Sequence, residues 1–272
     1  RMTATQRGQL LRKLGDLLAL HAPRLGEIER RDNGKLAIEV TPQIRYLADY
    51  VHYYAGLADK VQSEVIPSDK QGVFAYTKHE AKGVVAIITP WNSPLALTTW
   101  KLAPALAAGC TVVVKPSEYT SASMVEFAKL FAEAGFPSGV VNVVTGFGQE
   151  VGEPLVTHPQ VAHVGFTGGE GSGRKIYELA ARDFKTVTLE LGGKSPNIVF
   201  DDADLDQAVK GVIAGIFAAS GQTCIAGSRL LVQAGIHDAF VQRLVEFMST
   251  ARMGDPALPD TQIAPIATRP QF

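Results

Sequence analysis

Gly83-Val84-Val85-Ala86-Ile87-Ile88-Thr89-Pro90-Trp91-Asn92-Ser93-Pro94 is the stretch that decides the fold. Five apolar, mostly β-branched residues run into a turn rich in proline, asparagine and serine. Such a run without polar alternation predicts a strand covered on both faces. The same kind of run recurs at residues 111–114, 140–144, 162–166 and 186–189. Between the runs lie Ala/Leu-rich segments that predict helices near residues 97–108, 121–134, 150–157 and 174–181. Strands alternating with helices imply βαβ units and a doubly wound α/β fold with a parallel sheet. Ligands of such sheets bind beyond the carboxyl ends of the strands, so the loops after these runs are the places to search for chemistry.

Outward from this block the pattern changes. Upstream, Leu10, Leu11, Leu14, Leu17 and Leu18 fall at helical spacing, and a second helical region covers residues 46–57. Asp32-Asn33-Gly34 between them is a turn signal. Downstream, strands at 197–200 and 229–233 alternate with helices at 204–219 and 237–248. Residues 1–189 are therefore expected to form a cofactor-binding domain, and residues 190–272 the start of a second α/β, catalytic domain.

Composition narrows the function classes. The 272 residues are 46% hydrophobic and 19% charged, with a net charge of −1. Without a basic face, a nucleic-acid partner is not expected. No apolar run approaches the roughly 18–20 residues that span a bilayer, and no secretory leader pattern opens the sequence. Two distant cysteines, Cys110 and Cys224, do not make a disulfide scaffold, and six scattered histidines do not make a zinc site. A reducing, cytoplasmic setting without a bound metal is the expectation.

Two glycine clusters follow predicted strands. Gly146-Phe147-Gly148-Gln149-Glu150-Val151-Gly152 resembles a dinucleotide fingerprint with one residue too many, and no acidic partner ends the next strand. A tight turn feeding a helix explains it equally. Gly168-Gly169-Glu170-Gly171-Ser172-Gly173-Arg174-Lys175 has the glycine spacing of a P-loop, but Arg174 stands where the lysine should be. It still opens a helix, whose free N–H groups suit a pyrophosphate.

The reactive candidates each carry two readings. Cys224, in Gly221-Gln222-Thr223-Cys224, is either a nucleophile among free backbone N–H groups or a buried packing residue. Cys110 precedes a strand and is expected to pack. Glu190 closes a strand ahead of Leu191-Gly192-Gly193-Lys194. Half-buried there, its carboxyl would have a raised pKa and could act as a base; paired with Lys194 it would be a surface ion pair. Asn92 either donates to a developing oxyanion or makes an Asx turn before Pro94. Lys115 and Glu118 could hold ribose hydroxyls or be ordinary loop charges.

Taken in order and spacing, Pro90-Trp91-Asn92, Lys115-Pro116-Ser117-Glu118, Phe166-Thr167-Gly168, Glu190-Leu191-Gly192-Gly193-Lys194 and Gly221-Gln222-Thr223-Cys224 resemble the aldehyde dehydrogenase superfamily. The resemblance reaches back to Asp32-Asn33-Gly34-Lys35 and covers nearly the whole chain. It implies that Cys224 attacks an aldehyde carbonyl, that Asn92 and the Cys224 N–H hold the oxyanion, and that Glu190 activates the water releasing the acid. It implies NAD, with NADP possible, held by Ile88, Thr89, Pro90, Trp91, Lys115, Ser117, Glu118, Gly148, Phe166, Thr167, Gly168, Gly169 and Leu191. Ser93, Leu97, Trp100, Thr223 and Ile225 would line an aldehyde tunnel.

Two departures stand out. Gly169 replaces a common serine, removing a side-chain contact to the cofactor phosphate. Family members run to nearly twice this length, so the chain is expected to be a fragment. On its own it is then expected to be poorly soluble and inactive, with Ile213, Ile216 and Phe217 uncovered. The whole protein is expected to form a dimer or tetramer. A CoA-acylating semialdehyde dehydrogenase would usually lack the carboxylate at Glu190, and a non-catalytic relative would be expected to lose Cys224 or Glu190.

Overall fold

The computed structural model describes residues 2–272. Helix α1 (Ala4–Asn33) opens on a capping box. Thr3 Oγ1 accepts the Gln6 N–H, and the Gln6 side chain accepts the Thr3 N–H in return. The helix stops at Gly34, whose φ of +74° is a left-handed conformation that glycine adopts without a Cβ clash. Helix α2 (Ala37–Leu57) begins nine residues before the sequence expectation. Pro42 hides that start. It takes one N–H from the ladder, but the turn it follows faces water, Ile38 being exposed, so the freed carbonyl can be solvated. Leu11, Leu14, Leu18 and Leu25 of α1 meet Ile44, Leu47 and Val51 of α2 in one core cluster.

A short antiparallel pair, β1 (Val65–Ile66) and β2 (Ala75–Tyr76), follows and was not legible as strands. The alternating block then runs β3 (Val84–Ile88), α3 (Pro94–Ala108), β4 (Thr111–Lys115), α4 (Ala122–Ala134) and β5 (Val141–Val143). A π-helical turn, Gly148–Gly152, leads into α5 (Glu153–Thr157), where one regular helix was expected. The block ends with β6 (Val161–Thr167), α6 (Glu170–Ala181) and β7 (Thr186–Glu190).

Strands β3 to β7 form a single parallel sheet in the order β5-β4-β3-β6-β7. Alternation of side chains sends Val85 and Ile87 of β3 into the cluster shared with α1–α4. Ala86 and Ile88 of the same strand enter a second cluster with Val156, Ile176 and Leu179 of α5 and α6. Both faces are thus covered, as the apolar runs predict. From β3 the chain steps outward to β4 and β5 and then crosses back to β6 on the other side of β3, so the topological switch falls between β3 and β6, where a ligand crevice opens.

Beyond β7, β8 (Pro196–Val199), α7 (Leu205–Phe217), β9 (Arg229–Val232) and α8 (His237–Met248) build a smaller unit on a parallel β8–β9 pair. Val199, Val209, Val212 and Phe240 are its core. Ile213 packs against that core and is not left bare. Ile216 and Phe217 are half-buried, while Ile198, Phe200 and Leu231 on the β8–β9 side are exposed, as are Val245 and Phe247 of α8. Among the described residues no helix is long and apolar enough to cross a membrane.

Candidate active site

A cavity of about 480 Å³ lies at the carboxyl ends of β3, β4 and β6. Its walls include Ile88, Thr89, Pro90, Trp91, Lys115, Ser117, Glu118, Gly148, Phe166, Thr167, Gly168 and Gly169. These are all of the residues predicted to hold a cofactor except Leu191. Leu191 instead packs beneath α6, where a Cβ on Gly173 would stand 2.6 Å from Leu191 Cδ2. The N-terminus of α6 faces the cavity through Gly169, its extended cap residue, which makes no side-chain cap. At the other end Lys115 is buried and lies 3.5 Å from the partly exposed Glu118 carboxylate. Lys115 Nζ also donates to the Pro116 carbonyl at 3.0 Å.

This cradle fits a dinucleotide. Free N–H groups at the first turn of a twelve-residue helix suit a pyrophosphate, and Glu118 beside Lys115 suits ribose hydroxyls. Open space surrounds the Cβ position of Gly169, so nothing obstructs approach there. Among the described residues no cluster of acidic, histidine or cysteine side chains could hold a metal ion.

The turn after β3 leads from this cavity to the cysteine. Trp91 lines the cavity, while the next residue, Asn92, donates from Nδ2 to the Gln222 carbonyl at 2.8 Å. Because a carbonyl can only accept, this bond fixes which end of the amide is nitrogen. Asn92 Oδ1 is buried and takes no hydrogen bond, so the Asx-turn alternative is not realised. Gln222 lies two residues before Cys224, a free and partly exposed thiol, whereas Cys110 is buried.

The approach to Cys224 is strained. Ala219 and Ser220 hold φ values of +49° and +56°, and Gly221 follows at +77°. Left-handed backbone costs a non-glycine residue about 1–2 kcal/mol, so contacts elsewhere must hold this turn. Glu39 Oε1 accepts the Ala219 N–H at 3.1 Å. Ser220 Oγ bonds both N–H and carbonyl of Ala264 at 3.0 Å. The Ala267 N–H donates to Gln222 Oε1 at 2.9 Å.

Glu190 ends β7, at the edge of the sheet, and is exposed where the sequence reading expects it half-buried. An edge strand has no neighbour to cover its far side. Lys194 does not pair with it; Lys194 Nζ donates to the Gly193 carbonyl at 3.2 Å. The loop after Glu190 does reach the cysteine. A Cβ on Gly193 would stand 3.0 Å from the Cys224 carbonyl oxygen, so a side chain there would have to push the cysteine segment aside by a few tenths of an ångström.

Lys101 was missed by sequence reading. Its Nζ donates to Thr167 Oγ1 at 2.5 Å. Burial pushes its ammonium below the ordinary lysine value, while Glu190 and Cys224 are near enough to pull it back up. The available signal was a lone charge in the apolar helix Pro94–Ala108.

The predicted tunnel residues are less convergent. Ser93 is buried and its Oγ accepts from Lys35 Nζ at 2.5 Å, facing α1 and α2. Leu97 is buried, Ile225 is exposed, and Thr223 flanks Cys224. Trp100 lines a separate cavity of about 360 Å³ together with Lys101 and Cys110.

By fold, then, the chain is one of the doubly wound α/β proteins with a ligand crevice at the switch point. Residues 1–272 match the model described as the aldehyde dehydrogenase family, and the chain belongs to that family. It is 53% identical over 270 residues to (Z)-2-((N-methylformamido)methylene)-5-hydroxybutyrolactone dehydrogenase of Acinetobacter baylyi, covering 99% of this chain and 55% of that protein. It is 45% identical to the mitochondrial succinate-semialdehyde dehydrogenase of Arabidopsis thaliana, covering 94% of this chain and 48% of the relative. Among solved structures, betaine aldehyde dehydrogenase of Staphylococcus aureus in complex with NAD+ superposes with a TM-score of 0.97 at 40% identity, over 99% of this chain and 53% of that one. The chain spans about half the length of the curated relatives it matches.

Proposed function

We propose that the protein is an NAD-dependent aldehyde dehydrogenase of the hydrolytic type. The observation that carries this reading is the convergence of Asn92, Cys224, the Glu190–Gly193 loop and Lys101 beside the strand-end cavity. The Cys224 thiolate adds to the aldehyde carbon, and the carbonyl electrons move onto oxygen. One Asn92 Nδ2 hydrogen is committed to Gln222, and the second is free to donate to that oxygen along with the Cys224 N–H. NAD held by Lys115, Glu118 and the N-terminus of α6 would supply the hydride acceptor, so that the adduct on Cys224 becomes a thioester. Glu190 removes a proton from water, which attacks the thioester carbon, expels the thiolate and frees the acid. Exposure of Glu190 supports this role, since its proton can pass to solvent. A carboxylate here favours water over CoA as the acceptor.

In this reading residues 1–189 bind the cofactor and residues 190–272 contribute to a catalytic domain. Lys115 and Glu118 hold the adenosine ribose, and a 2′-phosphate would meet the Glu118 charge, so NAD is preferred to NADP. The setting is cytoplasmic, and the assembled protein is a dimer or tetramer.

Replacing each cysteine tests the reading. In the full-length protein Cys224→Ala abolishes NADH formation from aldehydes, and Cys110→Ala keeps most of it. Substantial turnover in Cys224→Ala would sink the assignment.

A further inference from the structure

Behind the proposed site lies a buried polar cluster that none of the steps above uses. Lys35, just before α2, is 6% exposed, and Glu29 of α1 is 0% exposed. Lys35 Nζ donates to Ser93 Oγ at 2.5 Å and to Gln43 Oε1 at 2.7 Å, and stands 4.0 Å from Glu29 Oε1. Two neighbours tie down the same turn. Asn33 Nδ2 donates to the Asn92 carbonyl at 3.2 Å, and Glu29 Oε2 accepts the Leu95 N–H at 3.3 Å. The turn from the Asn92 carbonyl to Leu95 is thereby clamped by α1 and by Lys35 ahead of α2.

Four residues along from Lys35, Glu39 reaches the other segment. Its Oε1 accepts the N–H of Ala219, the first residue of the left-handed turn that leads to Cys224. Asn92 closes the circuit through its bond to the Gln222 carbonyl. Burial pushes the Lys35 ammonium down, and the charges of Glu29 and then Glu39 oppose that push. One end of α2 thus grips both the turn carrying Asn92 and the turn preceding Cys224.

We infer that Lys35 and Glu39 are positioning residues, which set the placement of the Asn92 amide relative to the Cys224 sulfur without touching substrate. The inference rests on the proposal that Cys224 is the nucleophile. Misplacing a reacting group by about 1 Å costs on the order of 100-fold, so a scaffold of this kind is worth a measurable rate.

Two cofactor-free reagents applied to the full chain separate positioning from simple thiol reactivity. p-Nitrophenyl acetate acylates a thiolate through a tetrahedral oxyanion: sulfur bonds to the carbonyl carbon, the ester C–O bond breaks, and nitrophenolate leaves with the electron pair. Iodoacetamide alkylates by direct displacement of iodide and forms no such oxyanion. Lys35→Met and Glu39→Leu are expected to slow acylation of Cys224 by about 10- to 100-fold. Alkylation of Cys224 should change by less than about 3-fold. Glu39→Gln keeps an acceptor oxygen for Ala219 and should restore acylation.

Buried Cys110 reports on the fold in the same samples, because it becomes reactive if the core loosens. Should Lys35→Met expose Cys110, the partly buried Glu39 decides through its Leu and Gln variants. Wild-type acylation in Glu39→Leu with Cys110 still protected would overturn the inference. So would equal losses of acylation and alkylation, or a failure of Glu39→Gln to recover. If the unsubstituted chain is alkylated at Cys224 but not acylated there, the nucleophile reading fails first and the inference falls with it.

Discussion

Asn92 shows how far single residues could be read. Its type and place after β3 suggest either a turn former or an oxyanion donor; its unpaired Oδ1 sets aside the first, and its Nδ2 makes a contact with the Gln222 carbonyl. That contact spans 130 residues, so no local pattern could reveal it. Asn92→Asp keeps the shape and turns the donor into an acceptor. With the Gln222 carbonyl unpaired, stability is predicted to fall by about 1–3 kcal/mol. Loss of the oxyanion donor should lower kcat by about 100- to 1,000-fold. Denaturant midpoints and initial rates of NADH formation check the two effects separately. Lys101 illustrates the opposite failure. A charge on a helix is usually solvated, so its position was given no role, yet it lies partly buried between Thr167, Glu190 and Cys224. Its depressed proton affinity has a definite sign. Unfolded lysine keeps its proton up to its ordinary value of 10.5. Just below that value the unfolded chain therefore binds more protons, and stability rises with pH. Lys101→Met is predicted to flatten this rise, read as urea midpoints between about pH 8 and pH 10.

Elements were legible where period and punctuation agreed. The runs behind β3, β4, β6 and β7 are continuous and apolar, and their ends were placed within a residue or two. Legibility failed where a local signal competed with tertiary packing. Pro42 masked the first turns of α2, and the two-residue strands β1 and β2 are too short to show alternation. The π-helical turn at Gly148–Gly152 explains why that glycine cluster carried one residue too many for a standard fingerprint. At α6 the sequence departure has a structural consequence. Gly169 caps the helix in extended backbone, at φ −72° and ψ 152°, with open space around its Cβ position. A serine fits there without strain and can accept from the first turn or donate to a phosphate. Gly169→Ser is predicted to lower the KM for NAD by about 3- to 10-fold, the net worth of one ordinary hydrogen bond. An unchanged KM would show that the pyrophosphate does not sit at this helix end.

At the scale of the molecule, the doubly wound order was legible because alternating strands and helices leave few ways to cover a parallel sheet. The crevice followed from that order, and all but one of the residues expected to hold a cofactor line it. The tunnel residues converge less, with Trp100 facing another cavity and Ile225 exposed. The apolar surface left open is also not the one expected. It includes Ile198 and Leu231 of the β8–β9 pair, Phe200 just after β8 and Val245 of α8, whereas α7 turns Ile213 toward Val199 and Phe240. Long-range bonds from Glu39, Asn92, Ala264 and Ala267 to the 219–222 segment join the N-terminal helices, the sheet and the C-terminal residues at the cysteine. The central claim is that a thioester forms on Cys224 and that Glu190 directs water to it. Rapid mixing of Glu190→Gln with aldehyde and NAD tests this most directly, with NADH followed by absorbance and the protein by mass. The account predicts a burst of NADH matching the number of Cys224 sites, an acyl group on Cys224, and steady turnover slowed by about 100- to 10,000-fold. Unchanged steady turnover, or a burst without acylated Cys224, would contradict it.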